Sequence, residues 1–171
     1  MEFKKQPFIP MLFGGDINTY SVARAFYEEY QVKTYVFGKF PSGPSYNSNI
    51  IEYHANLKID TDEVFMQTVR DFAAAHADKT VLTIGCGDSY VALCSRHKDE
   101  MPENVVAPYI DFELMDRLQQ KELFYRLCRE HDIDFPDTLV FRHGMDLDFE
   151  LPFSFPVILK PSNSVMYWEH E

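Results

Sequence analysis

Two lysines, Lys121 and Lys160, are the residues whose positions most need a chemical reason. Lys160 closes the apolar run Phe155-Pro156-Val157-Ile158-Leu159, and an ammonium at the end of a buried strand loses hydration that an anion must replace. Lys121 opens a helical segment, where the helix dipole disfavours a cation. Either lysine alone reads as an ordinary surface residue. Together they fit a polyphosphate lying between them, held by charge-assisted hydrogen bonds of about 1.5–3 kcal/mol each.

Two glycine turns offer a second kind of chemistry. Phe13-Gly14-Gly15-Asp16-Ile17-Asn18 and Gly85-Cys86-Gly87-Asp88-Ser89-Tyr90 each follow a strand pattern and precede a helix pattern. Backbone N–H groups there favour an anion, and ligand crevices of open α/β sheets lie at strand carboxyl ends. Gly14, Gly15, Asp16, Asn18, Gly87, Asp88 and Ser89 are therefore candidates for substrate binding. The plainer account is that the glycines make tight turns and that Asp16 or Asn18 caps a helix. The first turn lacks the G-x-G-x-x-G spacing, and Glu52 lies rather far along to serve as a ribose acid, which argues against a dinucleotide. The loop Pro41-Ser42-Gly43-Pro44-Ser45-Tyr46 brings hydroxyls to a third strand end.

Cys86, Cys94 and Cys128 are odd in number and lack C-x-x-C spacing, so they read as buried thiols of a reducing compartment. No paired base is visible for Cys86, and thiol catalysis is not expected. The six histidines make no ligand motif, the carboxylates make no calcium loop, and Asp146 to Glu150 reads as a solvated turn, so no metal site is expected in these residues.

The elements that must position these groups alternate. Phe8–Phe13, Val32–Phe37, Ile50–His54, Thr80–Ile84 and Val105–Ile110 read as strands. Helices are expected from Thr19 to Tyr30, after a cap at Asp60 or Thr61, and after Asp88, with Gly38 to Asn49 as a loop. Unbroken apolar strands between helices predict an α/β, Rossmann-like layer with a mainly parallel sheet over residues 1–110. From 111 to 171 the pattern changes to α+β. Helices are expected over Asp111–Gln119 and Lys121–His131, then Thr138–Phe141 paired antiparallel with Pro156–Lys160.

The 171 residues are 46% apolar and 15% aromatic, enough for a real core. A net charge of -11 repels polyanions and argues against nucleic acid, while local lysines remain compatible with a small anion. The apolar stretch Phe8–Phe13 is too short for a signal peptide or a membrane span, so no membrane insertion is expected. Oligomeric state is not readable.

The order of parts resembles a known superfamily. Asp116 to Thr138, containing Lys121-Glu122-Leu123-Phe124-Tyr125 and Ile133-Asp134-Phe135-Pro136-Asp137-Thr138, followed by Phe155 to Pro161, resembles the entry to the ATP-binding region of ATP-grasp enzymes. The α/β unit before it resembles their pre-ATP-grasp domain. More narrowly, Phe8-Ile9-Pro10, Gly15-Asp16-Ile17-Asn18-Thr19-Tyr20, Cys86-Gly87-Asp88-Ser89-Tyr90, Pro108-Tyr109-Ile110-Asp111 and Lys160-Pro161-Ser162-Asn163-Ser164 resemble the D-aspartate ligase group of carboxylate–amine ligases.

The resemblance implies ATP and Mg2+ as cofactors of a complete enzyme, a carboxylate activated as an acylphosphate, and an amine that attacks it. Within that group it implies D-aspartate and a cell-wall (peptidoglycan) precursor as the small-molecule partners, and a cytoplasmic location. It implies that Lys121 and Lys160 contact ATP. No glycine-rich loop follows Lys160, which suggests that Ser162, Asn163 and Ser164 contact the phosphates in its place. The late acidic metal ligands of the superfamily have no counterpart. The chain is therefore expected to be an N-terminal portion of a ligase, inactive alone and without a tightly bound cofactor. The alternative is a non-catalytic α/β ligand-binding or regulatory module.

Overall fold

The computed structural model describes residues 2–41, 43–146, 148 and 150–162. Five strands form one all-parallel sheet in the order β3-β2-β1-β4-β5: β1 (Phe8–Phe13), β2 (Thr34–Gly38), β3 (Ile51–Ala55), β4 (Thr80–Gly85) and β5 (Val105–Val106). The helices are α1 (Ile17–Tyr30), the one-turn α2 (Gly43–Tyr46), α3 (Asp62–Ala75), α4 (Asp88–Arg96), α5 (Phe112–Gln119) and α6 (Lys121–Glu130).

β1 is central and buried from Ile9 to Phe13, as a parallel strand covered on both faces must be. Its alternating side chains enter two cores. Ile9, Met11 and Phe13 pack with Phe65, Met66, Val69 and Phe72 of α3 and with Leu93 and Cys94 of α4. Leu12 turns to the other face, with Val36, Ala23 and the partly buried Tyr20 and Phe26 of α1. Tyr30 stands at the margin of this face, 42% exposed and edge-on to Phe8 at 5.2 Å.

The chain divides into two compact units, Met1–Phe112 and Glu113–Glu171. The first holds the sheet. The expected loop Gly38–Asn49 contains α2, and the last strand is two residues long where six were expected. Pro108 has no N–H to offer a ladder. Around it other bonds replace the ladder: the Tyr109 N–H donates to Ala107 O at 2.8 Å, the Ser95 hydroxyl to Ile110 O at 2.6 Å, and the Gly85 N–H to the Tyr109 hydroxyl at 2.7 Å.

The second unit corrects a larger expectation. Thr138–Phe141 and Pro156–Lys160 are irregular and unpaired as strands, and Ile158 and Leu159 are 81% and 95% exposed. A two-stranded hairpin is marginal by itself, and among the described residues this unit supplies neither a third strand nor a sheet for it to cover. Lys160 consequently ends an exposed segment, without the burial that its sequence suggests. Among the described residues no helix is long and apolar enough to cross a membrane.

Candidate functional site

The sheet order reverses between β1 and β4, and their carboxyl ends open into a crevice of about 520 Å³. Both glycine turns read from the sequence line it, through Gly14, Gly15, Asp16, Cys86, Gly87 and Ser89. Asn18 and Asp88 belong to the same turns but sit outside the lining, exposed at the starts of α1 and α4.

The two turns are built differently. Asp16 is the N-cap of α1: its Oδ1 accepts from the Asn18 N–H at 3.0 Å and from the Thr19 N–H and hydroxyl at 3.1 Å each. The Asn18 side-chain amide donates to Oδ2 at 3.0 Å. The carboxylate therefore takes up the amides that a bound anion would use, and the capping account of this turn holds. Gly87 is the N-cap of α4 and supplies no side-chain cap. Extra ladder bonds fix the geometry: the Gly14 N–H donates to Phe37 O at 2.9 Å and the Cys86 N–H to Phe13 O at 2.8 Å.

The β2–β3 side contributes Lys39, Phe40, Gly43, Pro44 and Tyr53. Tyr53 reaches the crevice because Gly38, on the neighbouring strand, has no side chain; a Cβ there would collide with the Tyr53 hydroxyl and with the Gly14 carbonyl oxygen. The phenol crosses that gap and donates to Phe40 O at 2.7 Å. The Ser45 hydroxyl donates to Asp16 O at 3.2 Å, tying α2 to the first turn. Lys39 pairs with Asp60 at 2.6 Å, the two side chains being 40% and 31% exposed.

Burial raises the Tyr53 phenol above its ordinary value. Burial also raises Tyr90, aided by the charge of Asp60. The Cys86 thiol is pushed up to about 11, mostly by burial, against a hydrogen bond with Thr19 that lowers it and with a smaller rise from Asp16. At neutral pH the crevice thus presents neutral hydroxyls and a neutral thiol, one lysine and one capping carboxylate. It is suited to holding a small polar molecule, and Cys86 is not prepared as a nucleophile.

Sequence reading found the glycine turns and missed Lys39 and Tyr53. The signal for Lys39 was its place beside Gly38 at a strand end. Tyr53 required the β2–β3 register, which pairs Val36 with Tyr53 and Gly38 with Ala55. A smaller hollow, about 320 Å³, lies between α3 and the outer strands among Tyr35, Phe37, His54, Phe72 and His76. Its rings are occupied with one another, at 4.9 Å for Phe37–His54 and 4.2 Å for Phe72–His76, and it is away from the strand ends.

In the second unit, Lys121 is half-buried at the first position of α6. Its backbone N–H donates to Ser162 O at 3.1 Å, so the segment carrying Lys160 and Ser162 meets the start of the helix. Asn163 and Ser164 lie outside the described residues. Among the described residues no group of three or more His, Cys, Asp or Glu side chains is placed to hold a metal ion.

No protein-family model matches the chain. It is 40% identical to D-aspartate ligase of Enterococcus faecium (strain Aus0004) over 96% of its own length, and it spans 41% of the length of that relative. Among solved structures, L-amino acid ligase from Bacillus licheniformis shares the fold, with a TM-score of 0.53 and 17% identity over 94% of this chain and 38% of that one. On sequence, the chain is a homologue of D-aspartate ligase over the part of that relative it spans, and its fold is that of an L-amino acid ligase.

Proposed function

We propose that this chain is the N-terminal part of an ATP-dependent ligase that joins a carboxylate to an amine. The observation that carries the reading is the 40% identity to D-aspartate ligase, sustained over 96% of the chain. That the chain spans 41% of that relative supports a complete enzyme with more polypeptide and a 171-residue piece that is inactive alone. Residues 1–110 serve as the pre-ATP-grasp domain and 111–171 as the first part of the ATP-grasp domain. The acid is D-aspartate, the amine belongs to a peptidoglycan precursor, and the reaction is cytoplasmic.

Chemically, a substrate carboxylate oxygen attacks the γ-phosphorus of ATP. ADP leaves and an acylphosphate forms; the amine then attacks its carbonyl carbon, and phosphate departs with the amide made. Lys121 and Lys160 are assigned to the ATP phosphates, with Ser162, Asn163 and Ser164 beside them. The hydrogen bond from Lys121 N–H to Ser162 O supports the assignment by bringing the two segments together. Mg2+, when bound, supplies charge neutralisation of the phosphates. The crevice at Gly14, Gly15, Asp16, Gly87 and Ser89 is assigned to substrate, with Asn18 and Asp88 on its rim.

The test is ADP release by the complete ligase. It should require D-aspartate and an amine acceptor together, and Lys160→Ala should reduce it by about tenfold or more through loss of a charge-assisted phosphate contact. Release that ignores both co-substrates, or full activity in Lys160→Ala, contradicts the reading.

A further inference from the structure

We propose that Lys39 is the carboxylate-binding residue of the switch-point crevice, and that Asp60 competes with a substrate carboxylate for its ammonium. The inference rests on the carboxylate–amine ligase reading and adds to it a specific anchor. Lys39 is the cation among the described residues that line the crevice. It lies next to Gly38 at the end of β2, so its main chain is held by the sheet. Its ammonium is 2.6 Å from Asp60 Oδ2, and both side chains remain partly open to water. An ion pair this open is weakly held, and one carboxylate can replace another at little cost.

Asp60 is not part of the lining. It comes from the turn before α3, pairs with Lys39 at 2.6 Å and lies within electrostatic reach of Tyr90. The crevice is therefore polarised. Lys39 marks one side, and Asp16, whose carboxylate is fixed by its capping bonds, marks another. A small amino acid matches this pattern, with a carboxylate at Lys39 and its ammonium toward Asp16. A polyphosphate would need several cations, and the described lining offers one.

Calorimetric titration of the complete protein, in the presence of a non-hydrolysable ATP analogue, tests this with aspartate, asparagine and inorganic phosphate as probes. Aspartate and asparagine, which share an α-carboxylate and an ammonium, should both bind, with inorganic phosphate weaker. Lys39→Met should weaken aspartate by about ten- to a hundredfold, the range expected for a lost charge-assisted contact, and Lys39→Arg should restore part of it. Asp60→Asn, which removes the competing carboxylate, should tighten binding, a direction that misfolding does not produce. Lys33→Met, which breaks an ion pair with Glu52 outside the crevice, serves as the control and should leave aspartate affinity unchanged. Equal affinity in wild type and Lys39→Met, no tightening in Asp60→Asn, or no aspartate binding by wild type overturns the proposal. ADP release that needs acid and amine, with binding indifferent to Lys39, overturns this inference alone. Aspartate binding that depends on Lys39 without ATP turnover overturns the ligase reading alone.

Discussion

Cys86 and Gly87 are neighbours in one turn, yet the physics around each differs. The Cys86 thiol, raised to about 11 mainly by burial, is almost wholly protonated at neutral pH. Iodoacetamide at pH 7.5 should therefore modify it far more slowly than a free model thiol, with mass spectrometry as the readout. Gly85 lies against α4: a Cβ there would sit 2.6 Å from Tyr90 C and Val91 N, both backbone atoms. Gly87 has open space around its α-carbon. Gly85→Ala should accordingly cost roughly 1–3 kcal/mol in denaturant unfolding, as overpacking does, while Gly87→Ala, which meets no atom and only exchanges one N-cap residue for a poorer one, should cost about 0.5–1 kcal/mol. Asp16→Ala should cost about 1 kcal/mol as a lost helix cap. The sequence shows both glycines as G-C-G and does not say which is structural; the approach of α4 to β4 decides it.

Among the elements, the last turn of α4 and the residues just after it gather the segment that follows β5. Besides the Ser95 bond to Ile110 O, Lys98 pairs with Asp111 at 2.7 Å and the Arg96 guanidinium stacks over Phe112 at 4.7 Å. Arg96 and His97 also hold Asp62 at the start of α3, at 2.7 and 2.6 Å, and His97 reaches Glu100 at 2.9 Å through its other nitrogen. Burial alone would raise the Asp62 carboxyl; the hydrogen bonds and charges of Arg96 and His97 outweigh it and hold it below its ordinary value. A depressed folded-state value stabilises the protein above the unfolded carboxylate pKa, about 3.9, and that contribution disappears as pH falls through the folded value. Thermal stability should therefore decline as pH falls below about 4, and Asp62→Asn should flatten that decline. The short β5 was hidden from sequence reading because Val105–Ile110 is apolar enough for a full strand, and only the bonds around Pro108 show the chain leaving the sheet. The exposed run at 155–160 was overread for the opposite reason: β pattern needs partners to become a strand. If the chain is part of a longer ligase, as proposed, amides of 157–160 should exchange slowly in that ligase and quickly in the 171-residue chain.

At the scale of the molecule, the alternation of strand and helix was sufficient to read a parallel sheet, because strands covered on both faces advertise themselves as continuous apolar runs. The crevice was legible only in part. Gly14–Asp16 and Gly87–Ser89 follow from strand-end position, whereas Lys39 and Tyr53 depend on register and on the missing side chain of Gly38. Chemistry of the whole enzyme is best tested through the fate of an oxygen atom. If the complete ligase activates its acid as an acylphosphate, D-aspartate labelled with oxygen-18 in its carboxylates should transfer one labelled oxygen to the inorganic phosphate released for each amide formed. Phosphate that carries no label while amide accumulates would contradict the account.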